Sequence, residues 1–257
     1  MSNCITIIIP SIGRKKLLKR ALESLERQTL LPEKIIIINS GGVDICKGNI
    51  PKSLRVMTEI CNIDTKINVS KARNLGASKA CTNFIGFLDD DDEWSNTVVS
   101  SFKCHKVPLN GFVYFPIIYK SENGFYTRVR HAMFSNVEEF KRRFLYSNPG
   151  IGGSNIIMRK SQFTRLKGFD EKLNTAEDRD IVFRLIGGKI FPILLDNCFS
   201  ICNTQLQSLS RTNIARGQFN FYMKHKYFYT KYDKLKVVLY VIKIYVIQFL
   251  RYKKMKK

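Results

Sequence analysis

Three short segments in the first part of the chain, Ile5–Ile9, Lys34–Ile38 and Phe84–Leu88, are apolar at almost every position. That pattern suits strands covered on both faces. Between them Leu17, Leu18, Ala21, Leu22 and Leu25 recur at helical spacing, and Ser70 is placed to cap a helix running to about Ala80. Strands buried on both sides and separated by helices predict a mostly parallel sheet with helices on each face. Ligands of such sheets bind at the carboxyl ends of the strands. Pro10-Ser11, Asn39-Ser40-Gly41 and Asp89–Asp92 all fall at those ends, so three loops are expected to converge on one crevice.

The third loop stands out by its charge. Phe87-Leu88 leads straight into Asp89-Asp90-Asp91-Asp92-Glu93 and then Trp94. The whole chain has 21 Asp and Glu against 43 Lys and Arg, a net charge of +22, so five consecutive acids run against its composition. Adjacent carboxylates repel one another, and clustering them makes physical sense where a cation sits. Their oxygens suit Mg²⁺ or Mn²⁺, which in turn holds the phosphates of a nucleotide. The bland alternative is a solvated acidic turn.

The rest of the 257 residues reads less evenly. Leu54–Met57 reads as a short strand; Gly111–Tyr119 and Phe125–Arg130 read as strands about a Ser121–Gly124 turn, and Asn136–Leu145 as a short helix. A glycine-rich loop, Gly150–Ser154, leads into a strand at Asn155–Met158; a helix near Glu177–Ile186 ends at Gly187-Gly188, and Ile190–Leu195 is a further strand. Seven cysteines show no CxxC pairing, which predicts reduced thiols, and no secretory signal is legible at the start, which predicts a cytoplasmic location.

From about Asn213 the chain turns helical and basic. Phe219–Lys257 carries eleven Lys and Arg and one acid. Val237–Leu250 would span roughly 21 Å as a helix, short of the roughly 30 Å hydrocarbon core, with Lys236, Lys243 and Lys254 on one face. That predicts a helix lying on an anionic membrane surface, with a packed helix as the alternative. Residues 1–212 are then expected to form the main domain and 213–257 a basic helical extension. The strong positive charge also raises nucleic-acid binding, with Phe219–Tyr227 stacking bases. The acid cluster and the lack of an RNA or DNA module speak against it, so no nucleic-acid partner is expected. A nucleotidyltransferase would call for a glycine-rich phosphate loop after the first strand, where only Gly13 is found.

Several motifs together resemble the family 2 glycosyltransferases of GT-A fold, over roughly residues 4–200. They are Ile5–Pro10 with Ser11-Ile12-Gly13-Arg14, Leu25-Glu26-Arg27-Gln28-Thr29, Asn68–Gly76, Phe87–Trp94, Gly153-Ser154, Gly168-Phe169-Asp170, and Glu177-Asp178-Arg179-Asp180 with Arg184. Each is weak alone; their order and spacing are specific. The resemblance implies a nucleotide-diphosphate sugar donor and a divalent metal, Mn²⁺ or Mg²⁺, on Asp89 and Asp91. Pro10, Ser11, Asn39, Arg73, Asp89 and Asp90 are expected to bind the nucleotide sugar, with Arg73 facing the nucleotide or its phosphates. Asp178 matches the general base of an inverting transfer, with Glu177, Gly153 and Ser154 on the acceptor side; the glycines would let a sugar approach the backbone. Where the family commonly has acids at the second strand end, this chain has Asn39-Ser40; a UDP-sugar is the expected donor, with thymidine and guanosine diphosphate sugars open. Trp94 is left as either a stacking surface for sugar or an anchor of its loop. The expected acceptor is a glycan or lipid-diphosphate-linked glycan at the inner face of the cell membrane.

Overall fold

The computed structural model describes residues 3–120, 126–128, 139, 144–145, 148, 150–173, 175–203, 214–232, 234–240 and 242–243. Its centre is a seven-stranded sheet. In chain order its strands are β1 (Ile5–Ser11), β2 (Lys34–Ser40), β3 (Thr58–Ile63), β4 (Phe84–Phe87), β6 (Gly111–Tyr114), β9 (Ile156–Arg159) and β10 (Phe191–Leu194). Their spatial order is β10-β6-β9-β4-β1-β2-β3. All neighbours are parallel except β9, which runs antiparallel to both β4 and β6. The four-stranded second sheet has β5 (Asp92–Trp94), β11 (Ser200–Asn203), β7 (Ile117–Lys120) and β8 (Tyr126–Arg128), in that order.

The isoleucine strands explain the layers. Alternate residues of a strand face opposite sides. Ile7 and Ile9 of β1 and Ile35 and Ile37 of β2 pack with helices α1 (Lys15–Glu26) and α3 (Val98–Cys104). Ile8, Ile36 and Ile38 pack on the other face with α2 (Val69–Lys79), α4 (Lys160–Arg165) and α5 (Glu177–Gly187). Each fully buried Ile stabilises the fold by roughly 1.5–3 kcal/mol. Helix α2 lies so close to β1 that a β-carbon at Gly76 would overlap the Ile8 side chain, which accounts for a glycine inside a helix.

Several expectations need correction. The strand expected at Leu54–Met57 starts at Thr58, because residues 52–54 form a 3₁₀ turn. The segment expected as one strand, Gly111–Tyr119, breaks at Phe115-Pro116, and its halves join different sheets. Ser70 does not cap α2; Asn68 does, accepting from the Lys71 backbone N–H at 2.9 Å, while the Ser70 hydroxyl donates to the Leu173 carbonyl. The expected turn at 121–124 lies outside the described residues, as do most of the helix expected at 136–145 and the basic end at 251–257. None of the seven cysteines is in a disulfide.

Several described residues after β11 pack into the core. Helix α6 (Ile214–His225) puts Phe221 and His225 into the interior, and Tyr229 and Val237 join the same apolar cluster as α5. Among the described residues, no helix is long and apolar enough to cross a membrane.

Candidate active site

The register lines up three polar residues at the carboxyl edge: Ser11 pairs with Asn39, and Asn39 with Asn62. Asn39 is 1% exposed; its amide NH₂ donates to Asn62 Oδ1 at 2.8 Å and the Val43 carbonyl at 3.2 Å. Its own Oδ1 has no partner. A buried unpaired acceptor is costly, and at a strand end it suits a donor supplied by a ligand.

Beside this row β4 runs out into the acids. The Ser11 hydroxyl donates to Asp90 at 2.7 Å, and Arg14 pairs with both Asp90 and Asp91. Asp92 is buried, and the Cys202 thiol lies 3.2 Å from its carboxylate. Asp89, Asp91 and Asp92 each present an oxygen within 4.8 Å of the others. Burial, and then the neighbouring acids, push the Asp92 carboxyl up to about 8. Burial also raises Asp90 and Asp91, although Arg14 opposes it. Crowded carboxylate oxygens that remain under-compensated fit a hard divalent cation. The donor set differs from the expected pair by including Asp92. Arg14 and Cys202 were not expected at the site either; Arg14 stood in the Ser11–Arg14 motif, whereas nothing local marks Cys202.

Arg73 is 2% exposed and does not face an open crevice. Its guanidinium donates to Asp89 at 2.6 Å and to Glu177 at 2.8 Å, while its Nε is unpartnered. Burial opposes its charge, but Asp89 and Glu177 outweigh burial and raise its pKa. Arg73 thus ties the acid cluster to the first turn of α5. Gly153 sits on this guanidinium, and a β-carbon there would overlap it, so the glycine makes room for Arg73 rather than for a sugar. The Ser154 hydroxyl accepts from the Asp89 backbone N–H at 3.0 Å, and its carbonyl accepts from the Trp94 indole at 2.7 Å. Trp94 is buried and packs edge-on against Phe115, so it is the loop anchor and not a stacking surface. Asn155 fixes the glycine loop, accepting from the Gly152 N–H and donating to the Gly150 carbonyl.

Asp178 lies across from that loop, with its Oδ2 3.6 Å from where a Gly152 β-carbon would stand. It is half-buried. Burial, and then Glu177, push its carboxyl up to about 7 against the pull of Arg73. The helix it starts has no side-chain cap; the cap position is Ala176 at φ 64. A carboxylate with a raised pKa and an open side can take a proton from a bound hydroxyl. Pro10, Ser11, Asn39, Asp89–Asp92, Gly153, Ser154, Glu177 and Asp178 therefore all stand along one edge of the sheet, with Arg73 beneath them.

The family model for glycosyl transferase family 2 matches residues 6–166, and the chain belongs to that family. It is a glycosyltransferase of GT-A fold; the match stops short of α5. An uncharacterized glycosyltransferase of Haemophilus influenzae is 27% identical over 219 residues, covering 80% of this chain and 71% of the relative. The O-antigen chain rhamnosyltransferase RfbN of Salmonella typhimurium is 27% identical over 202 residues, covering 71% of this chain and 60% of its own length. Among solved structures, the mannosyltransferase PcManGT of Pyrobaculum calidifontis, in complex with GDP-Man and Mn²⁺, superposes with a TM-score of 0.65 at 13% identity. That likeness covers 88% of this chain and 64% of the mannosyltransferase.

Proposed function

We propose that the protein transfers a sugar from a nucleoside-diphosphate donor to a hydroxyl of a growing polysaccharide, with inversion at the anomeric carbon and Asp178 as general base. The observation that carries this reading is the Arg73 bridge, which holds the acid cluster and the Glu177-Asp178 pair in one ion network. The donor's nucleoside lies along Pro10, Ser11 and Asn39. The free Asn39 acceptor suits an N–H on the base edge, which uracil, thymine and guanine all carry, so UDP-, dTDP- and GDP-sugars all fit it. Asp89, Asp91 and Asp92 would hold Mn²⁺ or Mg²⁺, which supplies neutralisation of the leaving diphosphate. Asp178 takes the acceptor's proton as its oxygen attacks opposite the diphosphate. The Gly150–Ser154 loop borders the acceptor side. The O-antigen enzyme among the relatives supports a cell-surface glycan as the product.

The test is a thermal-shift panel with UDP, dTDP, GDP and CDP, each with and without Mn²⁺. A ligand that binds only the folded state raises the melting temperature. Stabilisation by UDP, dTDP or GDP only when Mn²⁺ is present, lost in Asp91→Ala, is expected. Equal stabilisation without the metal, or none by any diphosphate, would overturn the donor reading.

The reading extends to an anionic membrane surface on the cytoplasmic side, carrying a lipid-diphosphate-linked acceptor. Tyr227, Tyr232, Leu235, Leu239 and Ile242 are largely exposed, and Lys231, Lys234, Lys236 and Lys243 lie among them. An exposed apolar row mixed with lysines suits acyl chains below anionic head groups. The full chain should co-sediment with phosphatidylglycerol vesicles and lose that binding in Leu235→Glu/Leu239→Glu. Equal binding by the double variant would sink this part.

A further inference from the structure

Helix α5 presents Asp178 without a side-chain cap at its start. At 3.6 residues per turn, Arg179 and Asp180 point about 100° and 200° away from Asp178, toward the back of the helix. Both are buried, and both are held from α6.

The contacts are dense. Arg179 donates to the Phe144 carbonyl at 2.6 Å and the Leu145 carbonyl at 2.6 Å, pairs with Gln218, and lies 4.0 Å over the Phe221 ring. Asp180 is fully buried and accepts from His225 at 2.9 Å, Lys224 at 2.8 Å and Arg184 at 2.7 Å. Lys224 also reaches Asp170 at 2.6 Å. Gly217 backs onto the turn before the base: a β-carbon there would lie 2.9 Å from Thr175 Oγ1 and 3.6 Å from the Ala176 β-carbon. One face of α6 therefore grips residues 175, 176, 179 and 180, on either side of Asp178.

We propose that α6 is the positioning element of the Asp178 carboxylate. Its hold on the back of the first turn aims the front of that turn at the Gly150–Ser154 loop. Small displacements of a reacting group cost large factors in rate, so the grip should appear in turnover more than in donor binding. Gly217, Gln218, Phe221, Lys224 and His225 are positioning residues; none reaches the crevice. The proposal rests on the reading of Asp178 as the base.

The experiment uses the full chain with Mn²⁺. Nucleoside diphosphate release is followed from UDP-N-acetylglucosamine or GDP-mannose, whichever the wild type hydrolyses. For each variant kcat, donor KM, nucleoside diphosphate affinity and melting temperature are read together. His225→Ala should lower kcat at least about tenfold, with KM and diphosphate affinity within about twofold. His225→Gln, which keeps a donor toward Asp180, should recover most of that loss. In an Asp178→Asn background, His225→Ala should change residual turnover by less than about twofold, because the group it positions is gone. Full kcat in folded His225→Ala would overturn the proposal while leaving the base reading intact. Normal turnover in Asp178→Asn would remove the base reading, and the proposal with it. Should His225→Ala not fold, Lys224→Met, at a partly exposed side chain, carries the test. An about threefold loss of kcat is then expected, and no loss overturns the proposal.

Discussion

Asp178 and Asp180 share the first turn of α5 and the same helix N-terminus, yet the two sides of that turn treat a carboxylate in opposite ways. On the back, burial would raise Asp180, but His225, Arg184 and Lys224 outweigh it and bring the carboxyl down to about 2. On the front, burial and Glu177 push Asp178 up to about 7. In the acid cluster burial raises both Asp90 and Asp92, but Asp90 has Ser11 and Arg14 to oppose it, whereas Asp92 is pushed up to about 8. A fold that compensates one carboxylate so fully does not lack the means to compensate its neighbour. The under-compensated acids stand where a proton or a cation would complete the balance, and that separates the chemical carboxylates from the structural ones.

The sharpest way to break this contrast is Asp178→Asn. It should lower turnover by about a thousandfold while leaving diphosphate affinity within about twofold, since a general base acts on the rate and not on donor binding. Wild-type kcat should also rise with pH by about tenfold between pH 6 and pH 8, as a base with a pKa near 7 loses its proton. Stopped assays of diphosphate release across that range measure both. Full turnover in the variant, or a flat profile in the wild type, would remove Asp178 from the chemistry.

Much of the donor side was legible because it is local. Apolar runs at Ile5–Ile9, Lys34–Ile38 and Phe84–Leu88 specify strands, and their loops inherit a shared edge from the parallel sheet. The partners of those loops were not legible, because they depend on tertiary contacts. Arg73 looked like a phosphate ligand from its motif, but Asp89 and Glu177 bury it. Gly153 looked like room for a sugar, but the room belongs to Arg73. Cys202 meets Asp92 only because β11 pairs with β5. Helix α6 read as the start of a basic appendage because Lys224 and His225 lie in a positive stretch. Their partner, Asp180, is distant in sequence and brought near only by packing.

The smallest expected effect concerns stability, and its sign follows from the same contrast. Asp178 and Asp92 titrate at about 7 and about 8 in the folded chain. An unfolded Asp titrates near about 3.9. Between those values the folded state binds more protons than the unfolded one, so stability falls as pH rises. Asp180, brought down to about 2, acts in the other direction but only below about pH 4, outside this window. In EDTA the melting temperature should therefore drop by about 10 °C from pH 5 to pH 8. Asn at position 178 removes one of these two charges, so Asp178→Asn should flatten the slope and melt higher than wild type at pH 8. Mn²⁺ should restore wild type at pH 8 by compensating the acid cluster, and should do far less at pH 5, where Asp92 already holds a proton. Calorimetry at fixed ionic strength decides it. A melting temperature that rises between pH 5 and pH 8, or an Asp178→Asn variant less stable than wild type at pH 8, would mean that these carboxylates are compensated after all and that the two sides of α5 do not differ.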